Sequence, residues 1–287
     1  MKDLYKKIQN KINSIKTDFI EVRLKTNKVN NITLSDKTTD SISSGNSQFG
    51  SCRLLNNGAW SFISFNNIDE VESFIDRCYD LSFNINPPEK SKVIHKQPEQ
   101  SLFTPKIEID FTDVPFDEKF SLLQNYNSIL KSSKYIQTTR ATYSDVHSHY
   151  TYFNNEGSVL EFEKKYCGIS LNSIAKDGII IQPFHNSVAG HGGFELVLHK
   201  EDMAEKIVKT AVDLLQAESV PGGNYNIITD PKLSGVFIHE AFGHLSEADF
   251  VHENKSLRNL MKLGETFGPA DLHVIDDGTI TGLPGYI

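Results

Sequence analysis

The sequence predicts an α+β fold: N-terminal α/β segments with mixed sheets and flanking helices, then the start of a β-rich domain that contains one motif-bearing helix. Three observations support this. Amphipathic helical patterns alternate with long β-rich stretches, segments rich in Pro, Gly and Asn separate them, and 287 residues exceed what one small core accommodates. We therefore predict an N-terminal scaffold domain at 1–95, a central domain at 96–220 and the start of a C-terminal domain at 221–287.

Two helices are predicted in the first segment. Apolar side chains at helical spacing predict a helix over 2–16 with one buried stripe. The stripe consists of Leu4, Ile8, Ile12 and Ile15. A second helix is predicted over 68–82, with Asn67 as its N-cap.

Strands are predicted between these helices. The run FIEVRLK at 19–25 alternates in the manner of a strand. A stretch rich in Asn, Ser, Thr and Gly at 29–65 predicts a β-meander. Its turns are expected at SSGN, residues 43–46, and at NNGA, residues 56–59.

The second segment follows a proline-rich boundary at 86–100. A helix is predicted over 116–132, and a long β-rich stretch follows it, with NNEG at 154–157 as a hairpin turn. The next helix is predicted over 201–217 from its apolar stripe. The glycine-rich VPGGN at 220–224 ends that helix and forms the second boundary.

Charge and cysteine usage limit the possible partners. A net charge of −8 without any Lys- or Arg-rich run argues against a nucleic-acid partner. No apolar segment is long enough to span a bilayer and the amphipathic start is not a signal sequence, which predicts a cytoplasmic protein without a membrane partner. Cys52, Cys78 and Cys167 are widely spaced and form no CxxC pair, so we expect reduced thiols.

The stretch HEAFGH at 239–244 indicates a metal site. YNIITD at 225–230 is predicted to form a strand. Pro231 is predicted to be the first-turn proline of a helix that runs through the motif. Helical zinc sites usually space two histidines four residues apart, with the glutamate after the first as general base. Here the spacing is five, so the two rings would diverge by roughly 140° on an ideal helix.

Gly243 offers a remedy for this spacing. A glycine lowers the cost of a kink, a π-bulge or an early helix end that swings His244 back toward His239. The apolar run GVFI before the motif predicts a buried helix, where charged groups seldom lie without a partner or a task. The alternative is that two histidines and an acid fall together by chance.

The residues around the motif resemble a known family. GVFIHEAFGHLSEADF at 235–250 closely resembles the signature of the TldD/PmbA metalloproteases, in which an HExxxH helix precedes a further Glu and Asp, here Glu247 and Asp249. The likeness continues upstream in GGFELVLHKEDMAEKIVKTAVDLLQAESVPGG and downstream in HVIDDGTITGLPGY. The sequence is similar to TldD-like members, which carry the motif, whereas PmbA-like members lack it.

This resemblance implies a zinc-dependent metallopeptidase, with His239 and His244 as zinc ligands and Glu240 as the catalytic base. It further implies that small or unfolded peptides are cleaved inside a closed dimer. That dimer is either a homodimer or a heterodimer with a PmbA-like (TldE-like) subunit.

One departure concerns the third zinc ligand. The family supplies a cysteine from far toward the C-terminus, beyond Ile287, so the chain is expected to be the first part of a longer protein. Glu247 or His252 would be substitutes, while Glu247 and Asp249 would alternatively orient the ligand histidines or cap the helix end. A rival hypothesis is a non-catalytic dimerisation or peptide-binding fragment with an incomplete metal site.

Two further groups have weaker patterns. His147 and His149 alternate on a predicted strand, which favours either a two-histidine metal clamp or an ordinary polar face. HNSVAGHGG at 185–193 has no phosphate-loop pattern and is predicted to be a mobile loop near the dimer cavity.

Overall fold

A computed structural model of the chain describes residues 2–105 and 107–280. The described chain forms two compact units, one ending at Ala217 and the other beginning at Glu218. The first two predicted segments both contribute strands to one sheet in the first unit. The division into three domains stays a prediction.

Seven strands form this sheet: β1 (Phe19–Ser35), β2 (Thr38–Asn56), β3 (Ala59–Phe65), β4 (Gln100–Phe103), β5 (Ile136–Asn154), β6 (Val159–Asp177) and β7 (Ile180–His191). Their order is β3-β2-β1-β5-β6-β4, and β7 pairs with a different part of β6. Neighbours are antiparallel except β4 and β6, which are parallel. The sheet is therefore mixed, which confirms the predicted α+β class.

Four helices pack on one face of this sheet: α1 (Lys2–Ser14), α2 (Val71–Ser82), α3 (Phe116–Leu130) and α4 (Glu201–Asp213). The first pair covers a core near the start of β1, where Val22 lies opposite Phe153 of β5. The second pair covers a core near the end of β1, where Ile32 lies opposite Tyr143. Because these residues alternate along the strands, both cores lie on the same sheet face.

A buried ion pair joins the second helix pair to the sheet. Lys119 Nζ of α3 lies 2.6 Å from Asp145 Oδ2 of β5, and both side chains are almost completely buried. Asp145 also accepts hydrogen bonds from the Tyr143 hydroxyl at 2.7 Å and from Asn30 Nδ2 at 2.8 Å. These partners satisfy a carboxylate that would otherwise be costly to bury.

The helices predicted at 2–16, 68–82, 116–132 and 201–217 are all present, with ends shifted by a few residues. Asn67 caps the 3₁₀ turn Ile68–Glu70 that leads directly into the second of these, because its side chain accepts a hydrogen bond from the Asp69 N–H. The turns at NNGA and NNEG are also confirmed.

Two local predictions in the first unit are wrong. SSGN lies within β2, and the chain reverses instead at Asp36, which adopts a φ of 56° and accepts the Thr139 N–H at 3.1 Å. HNSVAGHGG is not a loop, because its first seven residues belong to β7 and pair with β6. In both places cross-strand pairing overrides the local preference of Ser, Asn and Gly for turns.

The second unit contains the helices α5 (Pro231–Ile238), α6 (Ala248–Glu253) and α7 (Lys255–Leu260). YNIITD, predicted as a strand, forms no regular structure here. A strand needs a neighbour for its backbone groups, and the described part of this unit offers none. No helix among the described residues has the length and apolar character that a bilayer crossing requires.

Candidate metal centre

The helix that leads into the motif, α5, has a capped N-terminus. The Asp230 carboxylate accepts the Leu233 N–H at 2.8 Å, and Pro231 occupies the first turn as predicted. Sequence reasoning missed Asp230 as the N-cap, although an Asp before a first-turn Pro is its usual signal. The predicted burial of this helix is wrong: Val236 is 57% and Phe237 64% exposed, because the described residues of this unit form no core against which they pack.

The helix changes its winding at the motif. His239–Gly243 forms a π-helical turn, in which the His244 N–H donates to the carbonyl of His239, five residues back. The two imidazole rings come to 4.5 Å between centroids, with 63° between their planes. This is one of the distortions that the five-residue spacing predicted.

Gly243 leaves room for this approach. A Cβ atom at this position would lie 3.3 Å from His239 Nδ1, closer than most Cβ contacts in proteins. The backbone of Gly243 is helical, so the glycine is favoured by the nearby ring and not by a left-handed conformation.

Three potential ligands converge on the π-helical turn. His239, Glu240 and His244 each place one ligand atom within 4.8 Å of the others. The closest measured approach joins His244 Nε2 to Glu240 Oε2 at 3.6 Å. Ligand atoms around tetrahedral zinc lie about 3.4 Å apart, so side-chain adjustments of about 1 Å fit these donors to such an ion.

Glu247 fixes the orientation of one histidine. Its Oε1 lies 2.5 Å from His244 Nδ1, which leaves Nε2 of the same ring directed toward Glu240. The hydrogen bond to Glu247 raises the pKa of His244, and the charge of Glu240 contributes in the same direction. The geometry therefore matches a carboxylate that orients an imidazole ligand.

The other predicted substitutes lie outside the three-residue group. Asp249 lies in the first turn of α6, where its carboxylate accepts the Phe250 N–H at 2.9 Å, and Glu247 occupies the N-cap position of that helix. His252 is exposed in the same helix. Neither residue joins the group formed by His239, Glu240 and His244.

The centre is open to solvent. The side chains of Glu240 and His244 are 64% and 50% exposed. Exposure keeps the three groups accessible to a ligand, but a hydrolytic centre is normally shielded from water.

His147 and His149 pair with carboxylates on the neighbouring strand. His147 Nε2 lies 3.2 Å from Glu163 Oε2, and His149 Nε2 lies 2.7 Å from Glu161 Oε1. Within the described residues, neither histidine belongs to a group of three convergent metal ligands. The geometry favours a half-buried polar face over a metal clamp.

Comparison with known proteins places family domains along the chain. Residues 20–82 match "PmbA/TldA metallopeptidase domain 1", residues 109–216 match the central domain and residues 222–287 match the C-terminal domain of the same family. A metalloprotease of Methanothermobacter thermautotrophicus is 32% identical over 278 residues, which are 94% of this chain and 59% of the relative. A zinc metalloprotease TldD homologue of Saccharolobus solfataricus is 24% identical over 280 residues, again covering 59% of that protein.

The fold is also similar to a solved structure. A Bacteroides thetaiotaomicron protein, described as a candidate modulator of DNA gyrase, superposes with a TM-score of 0.73 at 17% identity. The match covers 88% of this chain and 59% of that one. The chain thus spans about three-fifths of the length of these proteins.

Proposed function

The chain belongs to the PmbA/TldD metallopeptidase family, and we propose that it is a zinc-dependent metallopeptidase subunit that hydrolyses small or unfolded peptides. The observation that carries this proposal is the convergence of His239, Glu240 and His244 on one π-helical turn. The name of the Saccharolobus relative supports zinc as the metal.

His239 and His244 are the proposed metal ligands, and Glu240 is the proposed general base. A bound zinc ion would supply Lewis-acid chemistry, which lowers the pKa of water and polarises a peptide carbonyl. Glu240 accepts a proton from the water that attacks the carbonyl carbon. It then donates this proton to the amine that leaves when the C–N bond breaks.

Glu247 serves this reaction indirectly. By accepting a hydrogen bond from Nδ1 of His244, it keeps Nε2 of that ring available as a metal donor. The proton transfer itself requires only Glu240, whose side chain is 64% exposed and therefore accessible to water.

A second candidate function is non-catalytic peptide binding or dimerisation. The solvent exposure of Glu240 and His244 favours it, since neither is shielded from water. The three-residue group also contains only one carboxylate. If Glu240 were needed as the third metal ligand, the group would have no separate general base, and the centre would bind a metal without catalysing hydrolysis.

Partner and location belong to the same proposal. The subunit would act as a homodimer or with a PmbA-like (TldE-like) subunit, a suggestion that rests on the family resemblance. A cytoplasmic location would keep its three buried, free thiols reduced.

Zinc content is the first test. The 287-residue chain is purified, and metal is measured beside His239→Ala. About one zinc per chain, lost in the variant, would support the metal centre. Absence of zinc from the unmodified chain would mean that these residues alone do not hold the metal, and would favour the second candidate for this chain.

Peptide hydrolysis is the second test. Glu240→Gln keeps the size of the side chain but removes its basicity, so the turnover of a fluorogenic peptide should fall by about 10²- to 10⁴-fold while zinc stays bound. Full turnover by a zinc-loaded Glu240→Gln variant would exclude Glu240 as the base.

A further inference from the structure

A pocket of about 720 Å³ lies in the first unit, on the sheet face opposite the four helices. Its volume falls in the range typical of small-ligand sites, about 300 to 1,000 Å³. Side chains of β1, β2, β5 and β6 form one wall, and the irregular segment 93–99 forms the other. We refer to residues 91–99 as the strap.

Hydrogen bonds fix the strap at both ends. The Ser91 N–H donates to the Gly58 carbonyl at 2.9 Å. At the other end the Glu99 N–H donates to Ser158 Oγ at 3.2 Å, and the Glu99 carbonyl accepts the Val159 N–H at 2.9 Å. The second wall is therefore held in place over the sheet.

The sheet wall presents a flat apolar surface with a cation above it. Phe49, Lys25, Tyr150 and Phe162 follow one another in register across four adjacent strands. The Tyr150 and Phe162 rings stack with centroids 4.7 Å apart and an interplanar angle of 7°. Lys25 Nζ lies 4.9 Å from the centre of the Tyr150 ring.

Positive charge exceeds negative charge at this wall. Lys25 has no ion-pair partner among the described carboxylates, and Arg23 shares the single carboxylate of Glu21 with Arg53. The remaining charged groups of the lining are Lys96, Glu99 and Glu156, of which Glu156 contacts His95. The lining thus contains three cationic and two anionic side chains, in a chain of net charge −8.

We propose that this pocket binds a carboxylate attached to an aromatic or branched apolar group, as found at the C-terminal end of a peptide with an apolar last residue. The apolar group lies against Tyr150, Phe162 and Phe49, and the carboxylate pairs with Lys25. The carboxylate of such a ligand would meet an ammonium group that has no paired anion, and its apolar group would cover the aromatic surface beside that ammonium. The proposal does not depend on the peptidase activity.

Fluorescence anisotropy with the 287-residue chain tests this. The probe is a short, N-terminally dye-labelled peptide ending in phenylalanine, compared with the same peptide as its C-terminal amide, both in the presence of EDTA. A charge-assisted pair predicts that the free carboxylate binds about 10-fold or more tightly than the amide. Lys25→Gln should remove this preference, and Lys25→Arg should retain it.

Lys28→Gln is the matched control, since it removes an equal charge from the same strand on the opposite face. Equal binding of acid and amide, binding of neither, or equal effects of Lys25→Gln and Lys28→Gln would overturn the proposal. An unchanged thermal midpoint shows that each variant is folded. Competition by 3-phenylpropionate would mean that a free aromatic carboxylate suffices, whereas binding of the peptide without such competition would assign the site to peptide ends.

Discussion

At residue 243, the lack of a side chain decides how closely the two histidine rings approach each other. The π-helical turn brings His239 and His244 to the same side, and Gly243 leaves space beside Nδ1 of His239. A short sequence thus sets both the winding and the clearance of the candidate metal centre.

Gly243→Ala is expected to weaken zinc binding on the order of 10-fold, the scale seen when groups around a ligand histidine are disturbed. The added Cβ would press on the His239 ring from 3.3 Å. Zinc affinity measured with a competing chelator gives the result. Gly235→Ala is the control, because its Cβ meets nothing within 4 Å in the same helix. Equal zinc affinities of the two variants would show that the space between residue 243 and the His239 ring does not affect metal binding.

At the scale of elements, α3 is attached to β5 by charge as well as by apolar packing. Lys119→Met should lower the free energy of unfolding by about 3 to 5 kcal/mol, because Asp145 would remain buried without its cation. Urea denaturation measures this change. Lys209→Met on α4 removes a mostly exposed ion pair with Asp213, and should lower the free energy of unfolding by less than about 1 kcal/mol. Similar costs at both sites would show that burial of the pair is unimportant.

The β1–β2 turn should contribute a pH-dependent stability. The hydrogen bond from Lys131 lowers the pKa of Asp36 below its ordinary value. Because the carboxyl pKa is lower in the folded state than in the unfolded state, the ionised carboxylate stabilises the fold at pH values above the unfolded pKa, about 3.9. This stabilisation is lost as the pH falls through the folded pKa. Asp36→Asn preserves a residue that tolerates the positive φ of 56°.

We expect Asp36→Asn to destabilise the chain at pH 7 by less than about 1 kcal/mol, since the pair is partly exposed. The difference from the unmodified chain should shrink below about pH 4. Urea unfolding at pH 7 and pH 3 provides the comparison. A difference that is independent of pH would rule out the carboxylate charge as its origin.

At the scale of the whole molecule, the buried core belongs to the first unit. Leu215 is the last buried apolar residue in the described part of the chain, and residues 218–280 contain no buried side chain. A fragment of residues 1–217 should therefore fold by itself and unfold cooperatively in urea. Hydrogen exchange should show protected amides in β5 and β6. A fragment without protected amides would mean that this core is insufficient.

Much of the architecture was predictable because it depends on local periodicity. The helices α1, α2 and α4 follow from apolar stripes, and a local distortion at the motif follows from a five-residue spacing of two histidines beside a glycine. The predictions of secondary structure that failed concern segments whose structure depends on a partner strand. SSGN and HNSVAGHGG have the residues of turns but pair along neighbouring strands. YNIITD has the residues of a strand, but no strand among residues 2–105 and 107–280 pairs with it.

The sequence by itself determined the family, the helix positions of the first unit and the candidate ligands, since each depends on residue types at fixed spacing along the chain. Only the tertiary structure decided which strands share a sheet and that Lys25 lies over Tyr150 beside a strapped pocket. The physical reason is distance along the chain. Spacing predicts contacts within a turn or a hairpin, but Lys25 and Tyr150 are brought together only by the register of β1 against β5.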